Sequence, residues 1–75
     1  MSYTLREKAG AALQALRIEK NIKQEIVAAK LNVNRATVSK IENGLLPVTL
    51  VIVAAYREAS NISIYDAAQL IMPFL

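Results

Sequence analysis

Residues 24–44 of the chain read QEIVAAKLNVNRATVSKIENG, and this stretch decides the fold. Two helical patterns flank the polar segment Asn32-Val33-Asn34. Asparagine tolerates a left-handed backbone and also caps helices well, so one asparagine can turn the chain while the other begins a new helix. Asn43-Gly44 then ends the second helix. The stretch predicts two helices, over 24–31 and 35–42, joined by a three-residue turn.

A longer first helix is predicted upstream, beginning at a capping box. Thr4 is followed three residues later by Glu7, and such a pair satisfies two backbone N–H groups reciprocally. The helix is expected to run to about Lys20, where Asn21 lets the chain turn. The residues expected to be buried recur at helical spacing and are Leu5, Ala9, Ala12, Leu13 and Leu16.

Two more helices are predicted downstream. Thr49 is a suitable N-cap for a helix to about Ala59, which is apolar on nearly every side and is expected to be buried or to await a partner. Ser63 begins a last helix by the same capping logic, and Pro73 ends it. The predicted fold is all-α, with five helices compactly packed in a single domain over residues 1–75.

The composition agrees with a helical domain and excludes several classes of function. The chain is 55% apolar with two glycines and two prolines, which disfavours both a disordered chain and a many-stranded sheet. It has no cysteine and no histidine, so disulfides, thiolate nucleophiles and the usual zinc sites are excluded. We expect no cofactor, no metal, no small-molecule ligand and no enzymatic activity, because no catalytic constellation can be assembled. No apolar run approaches the roughly 18 residues that span a bilayer, so we expect a cytoplasmic protein without a membrane partner.

Positive charge is concentrated in the first part of the chain. Residues 1–44 hold eight basic and four acidic side chains, whereas residues 45–75 hold one basic and two acidic side chains. This asymmetry favours one face for a polyanion and another face for a different contact. An ordinary solvated helical surface with a slight basic excess accounts for the charge equally well.

The stretch 24–44 closely resembles the helix-turn-helix of the lambda-repressor/Cro family, and the likeness extends over about residues 13–71. Gln24 opens the second helix as in the family, Ala28 is small where the two helices cross, and Val33 and Val38 occupy the apolar positions that lock them. The resemblance implies a lambda-repressor-like fold and a repressor-type transcriptional regulator. Such a protein binds a two-fold symmetric operator in double-stranded DNA as a homodimer, with its third helix in the major groove.

The resemblance also implies roles for single residues of the motif. Arg35 is the strongest candidate for a base contact, because a guanidinium can bind guanine O6 and N7 together. The residues implied to face base edges are Arg35, Ala36, Thr37 and Lys40, and those implied to contact phosphates are Lys23, Gln24 and Asn43. For Arg35, Lys40 and Gln24, the alternative is an ordinary exposed position on a helix.

Arg17 and Glu42 occupy positions where the family commonly has an ion pair between the first and third helices. We interpret them as a structural pair that fixes the recognition helix. Removing one partner is expected to cost more than the pair contributes, because the other charge stays buried and uncompensated.

The chain departs from the family pattern at two places. Asn32 stands where the family usually has glycine, which weakens the turn only slightly. Residues 45–48 are Leu-Leu-Pro-Val, where many relatives carry Arg or Lys, so the DNA contacts of that loop are not expected here.

The apolar loop 45–48 and the apolar tail 71–75 require burial somewhere. We predict a homodimer interface formed by Leu45, Leu46, Val48, Met72, Phe74 and Leu75. Two alternatives stay open. The same residues can cap the monomer's own core, or they can bind another protein, as in a protein-interaction module, an antitoxin or a phage regulatory partner of this fold. A phage, plasmid or restriction-system regulator fits the sequence equally well.

Overall fold

The computed structural model describes residues 4–74, which form five α-helices and a terminal 3₁₀ turn. The elements are α1 (Leu5–Glu19), α2 (Gln24–Leu31), α3 (Arg35–Glu42), α4 (Leu50–Ser60), α5 (Ile64–Ile71) and the 3₁₀ turn Met72–Phe74. The predicted all-α, five-helix fold is confirmed, and residues 4–74 contain no strand. None of the helices in this range is long and apolar enough to cross a membrane.

Side-chain caps begin four of the five helices. The Thr4 hydroxyl accepts from the Glu7 N–H at 3.1 Å while the Glu7 carboxylate accepts from the Thr4 N–H at 3.2 Å, which completes the predicted capping box. Asn34, Thr49 and Ser63 cap α3, α4 and α5 by one bond each, in which the side-chain oxygen accepts from the backbone N–H three residues later. The exception is α2, whose N-cap Lys23 makes no side-chain capping bond.

Asparagine in the left-handed conformation turns the chain after three helices. Asn21, Asn32 and Asn61 have φ of 59°, 56° and 55°. The turns at Asn21 and Asn32 were expected from the sequence, and the one at Asn61 was not. Asn32 and Asn34 therefore divide the two tasks of the helix-turn-helix connection, since the first reverses the backbone and the second caps α3.

The core lies where α1, α2, α3 and α4 meet. Its least exposed side chains are Leu13, Val27, Val38, Ile41 and Tyr56. Gly10 is also buried, and a Cβ there would collide with the carbonyl oxygen of Ile41, so α1 and the end of α3 approach closely. The backbone contact of these two helices therefore requires glycine at this position.

Three burial predictions need correction. Leu5 is 60% exposed because the first turn of α1 lies outside the core, and Ala12 is only half-buried. Val33 is 39% exposed, so Val38 at 0% locks α2 and α3 without it. For α4, burial on nearly every side is not found, because Tyr56 is 1% exposed whereas Leu50 is 81% exposed, and the other alternative, a helix that awaits a partner, stays a prediction.

The exposed side of α4 continues onto α5 as an apolar groove. The groove has a volume of about 270 Å³. We call it the α4–α5 groove, and it is lined by Leu50, Val53, Ala54, Arg57, Ile64, Ala67, Ala68, Ile71 and Met72. All of these lining residues belong to α4, α5 and the 3₁₀ turn, so the groove lies on elements other than α3.

Candidate nucleic-acid interface

The four residues predicted to face bases lie on the first two turns of α3. Arg35, Ala36 and Lys40 are exposed, and Thr37 is half-buried. The Thr37 hydroxyl donates to Asn34 Oδ1 at 3.0 Å, so it takes part in the cap that begins the helix. The exposed surface of α3 therefore offers one guanidinium, one ammonium and a methyl group within two helical turns.

Two residues assigned to different tasks by sequence are in direct contact. Arg35 Nη1 donates to Gln24 Oε1 at 3.0 Å. Gln24 Nε2 in turn donates to Glu42 Oε1 at 3.1 Å. The first residue of α2 thus joins the first residue of α3 to the last, a link that the helical pattern of the sequence does not indicate.

Glu42 is the centre of this arrangement. Its side chain is fully buried and accepts four hydrogen bonds. Arg17 Nε donates to Oε2 at 2.7 Å and Arg17 Nη2 donates to Oε1 at 3.0 Å. The Tyr56 hydroxyl donates to Oε2 at 2.6 Å. Arg17 also donates to the Ile22 carbonyl at 2.9 Å, so its guanidinium is held on both sides.

The protonation states follow from burial and these bonds. Burial by itself raises the pKa of Glu42, but the hydrogen bonds from Arg17, Tyr56 and Gln24 outweigh it and hold that pKa below its ordinary value. Burial, together with the bond to Glu42, raises the pKa of Tyr56. At neutral pH, Glu42 is therefore a carboxylate and Tyr56 is its neutral donor, and every buried side-chain nitrogen and oxygen of the described residues has a partner.

Tyr56 is the residue of this cluster that sequence reasoning missed. It lies 14 positions after Glu42, on a helix that reads as apolar. Its one signal is that it carries the only polar side-chain group in the run Leu50–Tyr56, and a buried hydroxyl needs a partner.

The other two residues predicted to contact phosphates, Lys23 and Asn43, differ in the hydrogen bonds of their side chains. Lys23 is exposed at the N-cap of α2. Asn43 is exposed too, but its Nδ2 donates to the Ser39 carbonyl at 2.8 Å and to the Ser39 hydroxyl at 3.3 Å. The Asn43 amide therefore binds its own helix end in this structure.

The residues predicted for the dimer interface separate into two groups. Leu45 is 65% exposed and Met72 is 59% exposed. The other described members are half-buried and pack against the protein's own core; they are Leu46, Val48 and Phe74. Leu75 lies outside the described residues. For these three side chains, the geometry agrees with the alternative in which loop and tail cap the monomer.

Comparison with known proteins gives a family and a set of similar folds. The helix-turn-helix family model HTH_3 matches residues 13–51, slightly more than half of the 75-residue chain. ClgR, the clp gene regulator of Corynebacterium glutamicum, is 26% identical over 96% of this chain and 94% of its own, with a TM-score of 0.77. No match was found among curated proteins.

Two restriction-modification controller proteins are also similar. C.AhdI of Aeromonas hydrophila is 30% identical over 81% of this chain and 92% of its own, with a TM-score of 0.67. C.Esp1396I is 22% identical over 97% of this chain and 96% of its own, with a TM-score of 0.76, and that likeness shows the fold alone.

These likenesses coincide with the geometry. The family match runs from Leu13 to Val51 and so includes α2, the turn at Asn32 and all of α3. The structural likeness to ClgR extends over nearly the whole chain. The chain therefore belongs to the lambda-repressor/Cro type of the helix-turn-helix family, a family of DNA-binding regulators.

Proposed function

We propose that the protein is a cytoplasmic, sequence-specific transcriptional regulator of the repressor type that binds a two-fold symmetric operator as a homodimer. The observation that carries the proposal is the first turn of α3, where exposed Arg35 and Ala36 stand on a helix whose far end is bonded to the core through Glu42. A helix held in this way can enter the major groove without losing its orientation.

In this proposal Arg35 reads a guanine and Lys40 contacts a base or a phosphate further along α3. A bidentate arginine–guanine contact contributes about 1–3 kcal/mol of discrimination against other bases. Ala36 and the methyl group of Thr37 are suited to apolar contact with thymine methyl groups. In this proposal, the exposed face of α3 makes both hydrogen-bonding and apolar contacts with bases.

The start of α2 is the proposed contact with the DNA backbone. Lys23 is exposed there, and α2 begins without a side-chain cap, which leaves its first N–H groups available to an anion. Asn43, at the end of α3, is proposed as a second phosphate contact. Backbone contacts of this kind fix the register of the protein but carry little sequence information.

We place the homodimer contact of this proposal at the α4–α5 groove, which includes Met72 of the predicted interface but neither the residues of the loop 45–48 nor Phe74. Leu50 is 81% exposed and Ile64 is 72% exposed there, whereas Leu46, Val48 and Phe74 are occupied by the core. A second copy seated on α4 and α5 leaves both α3 helices uncovered, as a two-fold operator requires.

Protein binding is the alternative function that one observation favours. Leu45 is 65% exposed, and the following residues Leu46 and Pro47 line a second apolar groove of about 280 Å³. An interaction module or antitoxin of the same fold would use this loop for another protein.

The test is the selection of DNA sequences from a random pool by the purified protein, with Arg35→Ala and Arg6→Ala in parallel. Arg6 is an exposed arginine of α1, so its variant loses the same charge from a helix other than α3. We expect a two-fold symmetric site for wild type and Arg6→Ala, and loss of preference at one position per half-site for Arg35→Ala. The absence of any enrichment at low salt, where DNA binding is strongest, would refute the proposal.

A further inference from the structure

The ends of α1 and α4 share one arrangement of backbone and arginine. At the end of α1, Asn21 has a φ of 59°, and the Ile22 N–H donates to the Arg17 carbonyl at 2.9 Å. The guanidinium of Arg17 donates to the Ile22 carbonyl at 2.9 Å through Nη1. Its other nitrogens, Nε and Nη2, donate to the buried carboxylate of Glu42. One edge of this guanidinium therefore binds an acid while the remaining nitrogen binds the helix end.

The end of α4 repeats this arrangement without the acid. Asn61 has a φ of 55°, and the Ile62 N–H donates to the Arg57 carbonyl at 3.3 Å. Arg57 Nη1 donates to the Ile62 carbonyl at 3.1 Å. Within residues 4–74, however, no acidic side chain pairs with Arg57. The edge that binds a carboxylate in Arg17 is therefore free for an acceptor in Arg57.

Arg57 is the one charged residue in the wall of the α4–α5 groove. It is half-buried, and all the other lining residues are apolar. A partner that covers the groove therefore removes water from a positive charge. This removal is costly unless an opposite charge takes the place of the water. A stable occupant of the groove must supply a carboxylate close to Arg57.

The chain itself offers such a carboxylate in Glu58. Residues 45–75 hold two acidic side chains, Glu58 and Asp66. Glu58 lies four residues after Ala54, which lines the groove, so the two are neighbours on one side of α4. Asp66 lies two residues after Ile64 of the groove, and residues at that spacing do not share a helix face. Glu58 is therefore the acidic residue beside the groove.

The present contact of Glu58 leaves it able to accept a second cation. Lys30 Nζ donates to Glu58 Oε1 at 3.1 Å, and the two side chains are 32% and 69% exposed. An exposed pair of this kind contributes little to stability. A carboxylate has two oxygens that accept several hydrogen bonds, so Glu58 can bind a guanidinium with or without Lys30.

We propose that Arg57 of each copy forms an ion pair with Glu58 of the other copy across the homodimer contact at the α4–α5 groove. The inference rests on the proposed function, because it assumes that two copies meet there. Since Arg57 and Glu58 are adjacent in sequence, a two-fold axis that passes beside them brings each arginine to the glutamate of the other copy. The two pairs fix the orientation of the copies. They also disfavour a partner without an acid at this place, because such a partner would bury Arg57 alone.

Reversal of the two charges tests the proposal. Arg57→Glu leaves two acids at positions 57 and 58, and Glu58→Arg leaves two bases there. Either variant alone opposes like charges across the axis and is expected to weaken self-association by about tenfold or more. In an equimolar mixture the acids of one variant meet the bases of the other, so we expect a heterodimer about as stable as the wild-type homodimer. The chain with both reversals is expected to self-associate like wild type.

Sedimentation equilibrium measures the dissociation constant of each variant and of the mixture. Arg6→Glu and Glu19→Arg are the matched controls, because they change the net charge by the same amounts at exposed positions of α1 that do not line the groove. We expect both controls to self-associate like wild type. Arg57→Glu also loses the bond to the Ile62 carbonyl, and recovery of association in the mixture shows that this variant keeps its fold.

The outcomes separate the inference from the proposed function. If wild type self-associates and the two reversals at 57 and 58 do so equally well, the ion pair is refuted and the homodimer stands. The ion pair is also refuted if the mixture recovers no association, or if the controls on α1 weaken association as strongly. If wild type itself does not self-associate, the homodimer of the proposed function fails and the inference fails with it.

Discussion

The surface formed by α2 and α3 and the groove between α4 and α5 present side chains to solvent in opposite ways. On the first surface, exposed Arg35 is hydrogen-bonded to Gln24 and through it to buried Glu42. In the groove, Leu50 and Ile64 are apolar side chains, which form no hydrogen bonds and pack without directional constraint. Directional bonds fix one geometry, as the recognition of base edges requires, whereas apolar contact tolerates small shifts between partners.

The two regions are also expected to differ in how much a substitution changes the free energy of unfolding. The surface formed by α2 and α3 depends on the buried carboxylate of Glu42, which accepts four hydrogen bonds. Loss of one of these bonds therefore disturbs several helices at once. Substitutions of the exposed groove residues Leu50 and Ile64 are expected to leave the fold of one copy nearly unchanged. The comparison can therefore be tested by substitutions of similar size on the two sides.

The largest effect is expected from Glu42→Gln. The substitution keeps the shape of the side chain but removes the charge. It leaves the partly buried Arg17 without its counter-ion and directs an NH₂ group at other donors. We expect the free energy of unfolding to fall by about 3–5 kcal/mol, the range for breaking a buried pair. Urea unfolding measures it. Glu58→Gln is the matched control, since Glu58 pairs with Lys30 at 3.1 Å on the surface and should change stability by about 1 kcal/mol or less.

A loss of unfolding free energy for Glu42→Gln no greater than that for Glu58→Gln would contradict the comparison. The buried network would then stabilise the fold no more than the surface ion pair does. A total stability of about 0.05–0.15 kcal/mol per residue is usual for small domains. The expected loss is therefore a large share of the whole, and the variant should be measured at low temperature.

The second prediction concerns how the same effect depends on pH. Hydrogen bonds lower the pKa of Glu42 in the folded state below its ordinary value of 4.5. Its stabilising contribution is therefore complete above that value and is lost as the pH falls through the lower folded-state pKa. We expect the difference in unfolding free energy between wild type and Glu42→Gln to be constant from neutral pH to about pH 5 and to shrink at lower pH. Urea unfolding across this range measures it, and a difference that grows on acidification would contradict the assignment.

The smallest effect on folding is expected in the α4–α5 groove. Replacing Leu50 and Ile64 together by glutamine should change the unfolding free energy of the monomer by about 0.5 kcal/mol or less per site, because both side chains are exposed. If two copies meet at this groove as proposed, the same double variant should weaken self-association by about tenfold or more, since a few residues in the desolvated centre of an interface carry most of the binding free energy. Sedimentation equilibrium measures association, and unfolding at low protein concentration measures the monomer.

Ile18→Gln is the control for that experiment. Ile18 is 61% exposed on α1 and is not among the residues of the groove, so its substitution should leave self-association unchanged. Equal weakening by both variants would place the contact between copies elsewhere.

The parts of the fold that sequence predicted are those that depend on neighbours along the chain. Thr4, Asn34 and Ser63 cap residues three positions away, and Asn32 turns the chain by its own backbone. The Arg17 and Glu42 contact spans 25 positions and was expected only because the chain resembles a family in which it recurs.

The parts that sequence did not predict depend on how helices meet. Tyr56 contacts Glu42, and Arg35 contacts Gln24, because of the way in which α2, α3 and α4 pack together. The periodicity along one helix does not specify this packing. The same reason explains why α4 reads as apolar all round yet exposes Leu50, since periodicity shows which residues are apolar and not which of them find a neighbour.

The helix caps and turns described above also bear on how fast the chain folds. Four of the five helices begin at a side-chain cap three residues from its partner, and helical domains dominated by such local contacts typically fold in microseconds to milliseconds. A chain of this kind completes its helices soon after synthesis, before its exposed apolar residues have long to meet another unfolded chain. Rapid local folding thus protects from aggregation a protein whose native surface keeps an apolar groove open.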